Sequence, residues 1–197
     1  MPDILLRASL LACAVAGLSG CVLAPQTIAL NDSATVPAAT PVVQRDALVR
    51  VVDQRELGWD VLGHRGGRAP ENSPLLADEA VKDTLTRRMQ ASLKTLGFGG
   101  SSPVEPLRVQ LDIETFNYAC NEGVIVNECS VNIELGLTVL DGGNRFSKPY
   151  KAVETRSLAA SPVATYNEKW VNEVLDNLWA HMFSDDELLN TLQVQPL

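Results

Sequence analysis

Few residues in this chain have side chains suited to covalent or acid–base chemistry. The chain has four cysteines and two histidines, His64 and His181. No Gly-x-Ser-x-Gly, His-Glu-x-x-His or phosphate-loop pattern occurs after Cys21. The stretch Gly97-Phe98-Gly99-Gly100 follows a predicted helix, whereas a dinucleotide-binding loop precedes one. The sequence therefore predicts no catalytic residue and no cofactor.

A glycine-rich loop is the first candidate binding site. Residues 63–68 hold three glycines together with His64, Arg65 and Arg68. Clustered cations on a glycine-rich backbone are typical of an anion-binding loop. A solvated turn explains the same residues and is the favoured interpretation.

Cys21 is the candidate for covalent modification. It follows directly on Leu18-Ser19-Gly20 and on the apolar residues 8–18, which are too few for a stable membrane span. A buried helix and an ordinary cleavage site are the alternatives. The arrangement resembles a bacterial lipobox, in which signal peptidase II cuts before the cysteine and its thiol carries diacylglycerol. We therefore predict a signal peptide over residues 1–20 and lipidation of Cys21.

The residue after Cys21 indicates where such a lipoprotein resides. Val22 stands where an aspartate retains many lipoproteins in the inner membrane. By resemblance to sorted lipoproteins, we expect an outer-membrane protein that faces the periplasm. A diacylglyceryl group with an N-acyl chain makes this attachment to the membrane stable.

Cys120 and Cys129 are the remaining cysteine pair after processing. In an oxidising periplasm, two cysteines near a hairpin indicate a disulfide. They lie opposite each other if the turn is centred midway between them, and are offset if Asn121-Glu122-Gly123 is the tight turn. Free thiols or an intermolecular bond are the second interpretation. Zinc is the weakest, because neither histidine has cysteine-finger spacing.

Composition restricts the class of partner. The net charge is −8, the pI is about 4.7, and no run of Lys and Arg occurs, so we expect no nucleic-acid partner. A length of 197 residues, 46% of them hydrophobic, favours one folded domain. Residues 21–46 contain Pro25, Pro37 and Pro41 and are expected to be a tether, although residues 27–30 are β-prone. The domain is expected to cover residues 47–197.

Apolar periodicity predicts an α+β fold. Residues 48–52 read as a buried strand. A helix is predicted next, with Asn72 or Ser73 as its cap and Pro74 in its first turn, an apolar stripe from Val81 to Leu96, and Gly97 at its end. Period-two alternation predicts antiparallel strands over residues 107–114 and 131–139, with a third over 147–157. A second long helix begins near Thr165, and a short C-terminal helix follows. We expect about four antiparallel strands, with two long helices packed on one face, in the order β-α-β-β-β-α.

The face of this sheet that the helices leave uncovered is the second candidate binding surface. A solvated face is the simpler interpretation of its polar residues. The functional interpretation is that the face, or the sheet edge beside it, binds a periplasmic partner. The residues expected on this face are Arg108, Gln110, Asp112, Glu114, Asn132, Glu134 and Thr138.

The order of these features resembles the YajG-type family of proteobacterial lipoproteins. The resemblance runs from the lipobox through "VRVVDQREL", "LGHRGG" and the terminal "WVNEVLDNLW", over about residues 27–192. It implies an outer-membrane lipoprotein facing the periplasm and brings no defined activity. The cysteine pair at 120 and 129 does not belong to the family pattern.

Two classes of function fit these observations. The first is a lipid-anchored binding or adaptor module in envelope biogenesis or maintenance, which docks a periplasmic protein, a glycan or a lipid. The second is a periplasmic hydrolase or transferase with a dispersed site. The absence of catalytic motifs favours the first, so we expect no enzyme activity.

Lipidation of Cys21 has a direct test. The Cys21→Ala variant is expected to remain an unprocessed precursor, since signal peptidase II acts only on the modified cysteine. Metabolic labelling with a palmitate analogue and membrane fractionation measure acylation and location. A Cys21→Ala protein that is still cleaved and still fractionates with the outer membrane would contradict the lipoprotein interpretation.

Overall fold

Three long antiparallel strands form the centre of the fold in the computed structural model, which describes residues 23–37, 39–100, 102–123 and 125–196. These strands are β6 (Leu107–Asn121), β7 (Asn127–Asp141) and β8 (Asn144–Leu158), and each has 15 residues. They follow one another in sequence and in space, joined by hairpin turns.

The other elements are shorter strands and three α-helices. The strands are β1 (Gln26–Ile28), β2 (Ala39–Pro41), β3 (Ala47–Asp53), β4 (Val61–His64), β5 (Pro74–Ala77) and β9 (Val194–Pro196). The helices are α1 (Val81–Thr95), α2 (Ala164–Met182) and α3 (Asp186–Leu192), with a 3₁₀ turn at Pro70–Asn72.

The sheet that contains β6 has seven strands in the order β1-β5-β4-β6-β7-β8, with β3 as an additional partner of β6. The predicted sheet of about four antiparallel strands in the order β-α-β-β-β-α is therefore wrong. Three pairs are parallel: β1 with β5, β3 with β6, and β4 with β6. The prediction failed because β1, β4 and β5 have only three or four residues, too few to show a period of two. The predicted helix start at Pro74 is wrong for the same reason, since Pro74–Ala77 forms β5 and α1 begins at Val81.

Alternation along β6 and β7 places one row of side chains in the core. Leu107, Val109, Leu111 and Ile113 are buried, as the sequence predicts, and so are the alternate residues from Val131 to Val139. The register of β6 shifts between Ile113 and Thr115. Because this bulge adds one residue, the buried positions after it are Phe116, Tyr118 and Cys120.

The two long helices are joined to each other by polar contacts inside the core. Arg88 of α1 is almost fully buried, and its guanidinium donates to Asp176 Oδ1 of α2 over 2.6 Å. The same guanidinium lies 4.9 Å from the centre of the Trp179 ring. Trp179 Nε1 in turn donates to Ser92 Oγ over 2.9 Å. These bonds satisfy polar groups that are costly to bury alone.

Residues 23–37 and 39–46 pack into the folded domain, although the sequence indicated a tether over residues 21–46. β1 lies in the sheet beside β5, which answers the question raised by the β-prone residues 27–30. Ile28 and Val36 are buried, and the Asn31 backbone N–H donates to Asn172 Oδ1 over 2.7 Å. β2 pairs with the C-terminal strand β9. The predicted signal peptide and Cys21 lie outside the described residues.

Cys120 and Cys129 are bonded to each other as a disulfide. They face each other in the antiparallel register of β6 and β7, and both are buried. The first of the two predicted turn placements is therefore confirmed, and the intramolecular disulfide with it.

The bulged strand β4 requires a glycine at position 63. Gly63 has φ +133°, and a Cβ added there would overlap the backbone carbonyl of Tyr118 on β6. The Gly63→Ala variant is expected to lose about 3 kcal/mol of unfolding free energy, measured by denaturant titration. Gly143→Ala is the matched control, because open space surrounds its Cβ, and it should change stability by less than about 0.5 kcal/mol. Equal stability of the two variants would contradict this account of β4.

Asp185 makes the docking of α3 dependent on pH. Partial burial of its carboxyl group raises the pKa of Asp185. Lys148 Nζ and Tyr150 Oη donate hydrogen bonds to its Oδ2, each over 2.7 Å, and these bonds outweigh the effect of burial and lower the pKa to about 2. Asp185 also caps α3, since its Oδ1 accepts from the Glu187 N–H.

Because the pKa of Asp185 is lower in the folded state than in the unfolded chain, ionised Asp185 contributes to the free energy of unfolding. This contribution is complete above the unfolded pKa of about 3.9 and is lost as pH falls towards 2. Urea unfolding at pH 5, 4, 3 and 2.5 should show a steeper loss for the wild type than for Asp185→Asn. Identical slopes would contradict the prediction.

Candidate functional site

The face of the sheet opposite the core carries a groove that crosses four strands. The strand register places the residues of this face in rows, of which the first is Leu48, Arg108, Leu140 and Arg145 and the second is Arg50, Gln110, Thr138 and Ser147. A cavity of about 450 Å³ lies over them. We call it the arginine groove and define it by Leu48, Arg50, Arg108, Gln110, Asp112, Thr138, Leu140 and Arg145.

The three arginines of the groove are available to a ligand. Among the residues that the structure describes, no carboxylate lies within salt-bridge distance of Arg50 or Arg145. Arg108 is 3.6 Å from Glu105, and both side chains are about two-thirds exposed, so this contact is weak. The groove thus concentrates positive charge on a chain whose net charge is −8.

Polar and apolar groups accompany these cations. Asp112 is the carboxylate of the groove, and it accepts two hydrogen bonds from Gln110 Nε2, at 2.9 and 3.1 Å. Leu48 and Leu140 remain 52% and 37% exposed on the same row as Arg108 and Arg145. An exposed surface of this composition fits an acidic ligand with apolar groups beside its charges.

Glu114 and Glu134, two further residues predicted on this face, lie beside the groove, and the third, Asn132, is half-buried farther along β7. Glu114 stands at the bulge of β6, and its carboxylate covers the surface that Gly136 leaves open, with Oε1 2.7 Å from where a Cβ of Gly136 would be. Glu134 is paired with Lys151 over 2.9 Å. The structure therefore places Arg108 and Asp112 in the groove and the two glutamates on its flank.

The candidate binding residues of the glycine-rich loop do not come together at one site in the structure. Arg65 is buried, and its guanidinium donates to the carbonyls of Ala24, at 2.5 Å, and Pro162, at 3.0 Å. Burial lowers the pKa of this guanidinium. His64 is half-buried on β4 beside Ala119, whereas Arg68 is exposed. Arg65 thus fastens the N-terminal segment to the chain ahead of α2.

A comparison with protein families identifies the family of this chain. Residues 34–193 match the model of the family Lipoprotein_16, described as "Uncharacterized lipoprotein". The chain belongs to this lipoprotein family. The match covers most of the sequence, and a membrane-anchored lipoprotein agrees with the interpretation of Cys21. No curated protein matches the lipoprotein's sequence.

Solved structures offer only distant similarities to the lipoprotein. Protein XCC0632 from Xanthomonas campestris, of the family DUF330, is 12% identical, covers 86% of this chain and 99% of its own, and has a TM-score of 0.47. A putative neuraminyllactose-binding hemagglutinin homolog from Helicobacter pylori is 10% identical, covers 81% and 95%, and has a TM-score of 0.38. An uncharacterized protein is 14% identical, covers 83% and 95%, and has a TM-score of 0.39. Likeness at these TM-scores carries no conclusion about function.

Half of the arginine groove in this lipoprotein has no local signal in the sequence. Arg50 and Arg145 are single cations on strands far apart in sequence, and only the register of β3, β6, β7 and β8 brings them together. Leu48 was assigned to a fully buried strand. The alternation of Leu48 and Arg50 with Val49 and Val51 was the signal that β3 has one exposed face.

Within the described ranges, no group of three or more His, Cys, Asp or Glu residues is placed to hold a metal ion. None of the described helices is long and apolar enough to span a membrane.

Proposed function

We propose that this lipoprotein is anchored in the outer membrane, faces the periplasm, and uses the arginine groove to bind an acidic partner in envelope biogenesis or maintenance. The anchoring rests on the lipobox and on Val22, and the family match supports a lipoprotein. The domain would then act as an adaptor that holds a partner at the membrane.

The arginine groove is the observation that carries this proposal. A planar guanidinium binds a carboxylate or phosphate through two parallel hydrogen bonds, which makes arginine the preferred residue for recognising these groups. Arg45, Arg55 and Arg88 are committed to Asp141, Asp53 and Asp176. By contrast, among the residues that the structure describes, the groove arginines make no salt bridge other than the weak contact of Arg108 with Glu105.

The residues of the groove favour binding over catalysis. Nucleophilic and acid–base mechanisms need a nucleophile next to a base, or a pair of groups with separated pKa values. The groove contains one carboxylate, that of Asp112, and neither histidine nor cysteine among its lining residues. We therefore propose a binding module and not a hydrolase or transferase.

Photo-crosslinking in intact cells tests the groove as the binding surface. A benzoylphenylalanine at Ser147, on the exposed side of β8 at the groove, is expected to form adducts because the partner passes within reach of it. Replacing Arg50, Arg108 and Arg145 together by Glu should reduce these adducts about tenfold, since each arginine–anion contact is reversed.

Lys169 supplies the matched control position. Its side chain is 79% exposed on α2, away from the groove, and the same photoreactive residue there should give none of these adducts. Adducts that survive the triple charge reversal, or that form equally from position 169, would contradict the proposed function. Denaturant unfolding of the triple variant checks that its fold is retained.

A further inference from the structure

Among the described strands, none lies beside the outer edge of β3. β3 pairs only with β6, and Gln54 N–H at its end donates to the Ile113 carbonyl over 3.0 Å. In a parallel pair alternate residues bond to the neighbour, so the N–H and C=O groups of Val49 and Val51 point outward. Within the described part of the chain, no hydrogen bond occupies these outward groups of Val49 and Val51, whereas at the start of the edge the Ala47 N–H donates to Asp46 Oδ1. An open edge of this kind is a template for another strand.

Helix α1 runs beside the open edge and leaves space along it. Residues at intervals of four line up on one side of a helix, and α1 presents Lys82, Thr86, Gln90 and Lys94 in this way. Cavities of about 530 and 230 Å³ lie between this line and β3, the first against Lys82 and Thr86 and the second against Gln90 and Lys94. We call the space between β3 and these four residues the edge channel.

Cations stand on both sides of the open edge. Lys82 and Lys94 are exposed on the α1 side, and Arg50 and Arg108 lie on the groove side. In the described ranges neither lysine has a carboxylate within salt-bridge distance. Asp83 is the exposed acid on the α1 side, and Asp53 at the end of β3 lines the same cavity but is paired with Arg55. The Asp46 carboxylate accepts from the Ala47 N–H over 2.8 Å. The channel and the groove together therefore favour an anionic chain.

We propose that the outer edge of β3 takes up an extended, acidic segment of a partner protein as an additional strand of the sheet. The proposal rests on the proposed function and names the partner of the same surface. Alternate side chains of an added strand point to opposite faces. One set of carboxylates would meet Arg50 and Arg108 at the arginine groove, and the other would meet Lys82 and Lys94. Backbone hydrogen bonds to Val49 and Val51 would supply affinity without a special side-chain motif.

A protein segment fits this surface better than a lipid or a second copy of the chain. The apolar part of the groove consists mainly of Leu48 and Leu140, which is too little to cover an acyl chain. The net charge of −8 repels an anionic bilayer. Two copies paired through β3 would bring equivalent cations such as Arg50 close together.

The test uses the full-length mature lipoprotein in detergent and fluorescence anisotropy with synthetic peptides. The probe is a fluorescein-labelled decapeptide in which pairs of glutamates alternate with pairs of valines, so that both faces of the extended strand carry carboxylates. One control replaces glutamate by lysine, and a second keeps the glutamates but carries an N-methyl group on every internal amide. The acidic probe should bind, and both controls should bind at least about tenfold more weakly, because one loses the charge and the other the backbone donors.

Protein variants test which side chains of the lipoprotein contact the acidic probe. Arg50→Glu and Lys82→Glu should each weaken binding of the acidic probe about fivefold or more, since they lie on opposite sides of the edge. Arg68→Glu is the matched control, an exposed arginine in the loop after β4, and should leave binding within about twofold. Circular dichroism establishes that each variant is folded.

Any of the following outcomes would overturn the proposal. Equal binding of the N-methylated probe would exclude strand addition while leaving crosslinking at the groove, and so the proposed function, intact. No binding of the acidic probe at about 1 mM would exclude an acidic segment of this kind. Arg50-dependent binding to phosphatidylcholine vesicles with about one-third phosphatidylglycerol, in place of the peptide, would assign the surface to lipid.

Discussion

The fold depends on satisfying both edges of the 15-residue strand β6. A buried backbone N–H or C=O that lacks a partner is costly, so a long central strand needs a neighbour along its whole length on each side. β7 supplies one side completely. On the other side β3 covers the first half and β4 part of the second, and both run parallel to β6. The parallel arrangement requires a crossover, which the chain makes through β5 and α1 before it enters β6.

The junction between β3 and β4 is held by Arg55. Its guanidinium donates to both carboxylate oxygens of Asp53 at the end of β3 and, over 2.8 Å, to the carbonyl of Val61 at the start of β4. Burial opposes ionisation of Asp53, but the hydrogen bonds from Arg55 outweigh it and lower the pKa of this carboxyl. The bulge of β6 lies at the same level, where one neighbouring strand replaces the other. One arginine therefore keeps two strands in line with a single partner.

How much of the fold can be predicted from the sequence depends on how many residues each apolar pattern spans. β7 and the first half of β6 alternate over many residues, so their buried positions were predicted. The sequence left two turn placements open for Cys120 and Cys129, and the register of the hairpin decides between them. β1, β4 and β5 are too short to alternate visibly, so the sheet was predicted with too few strands and without its parallel pairs. Of the arginine groove, Arg108 and Asp112 were predicted from alternation within one strand. Arg50 and Arg145 depend on register between strands, which no local pattern contains.

The position of β1 in the sheet sets how far the domain can move from a lipid on Cys21. The Arg65 guanidinium donates a hydrogen bond to the Ala24 carbonyl, and β1 begins at Gln26. Only a few peptide units therefore separate Cys21 from residues that are fixed to the domain. At about 3.5 Å per extended residue this length is roughly 10–18 Å. If Cys21 carries the proposed lipid, this short connection would keep the domain close to the bilayer surface and raise its local concentration there. A partner would then have to come to the membrane to be captured, because the domain could not reach far from it.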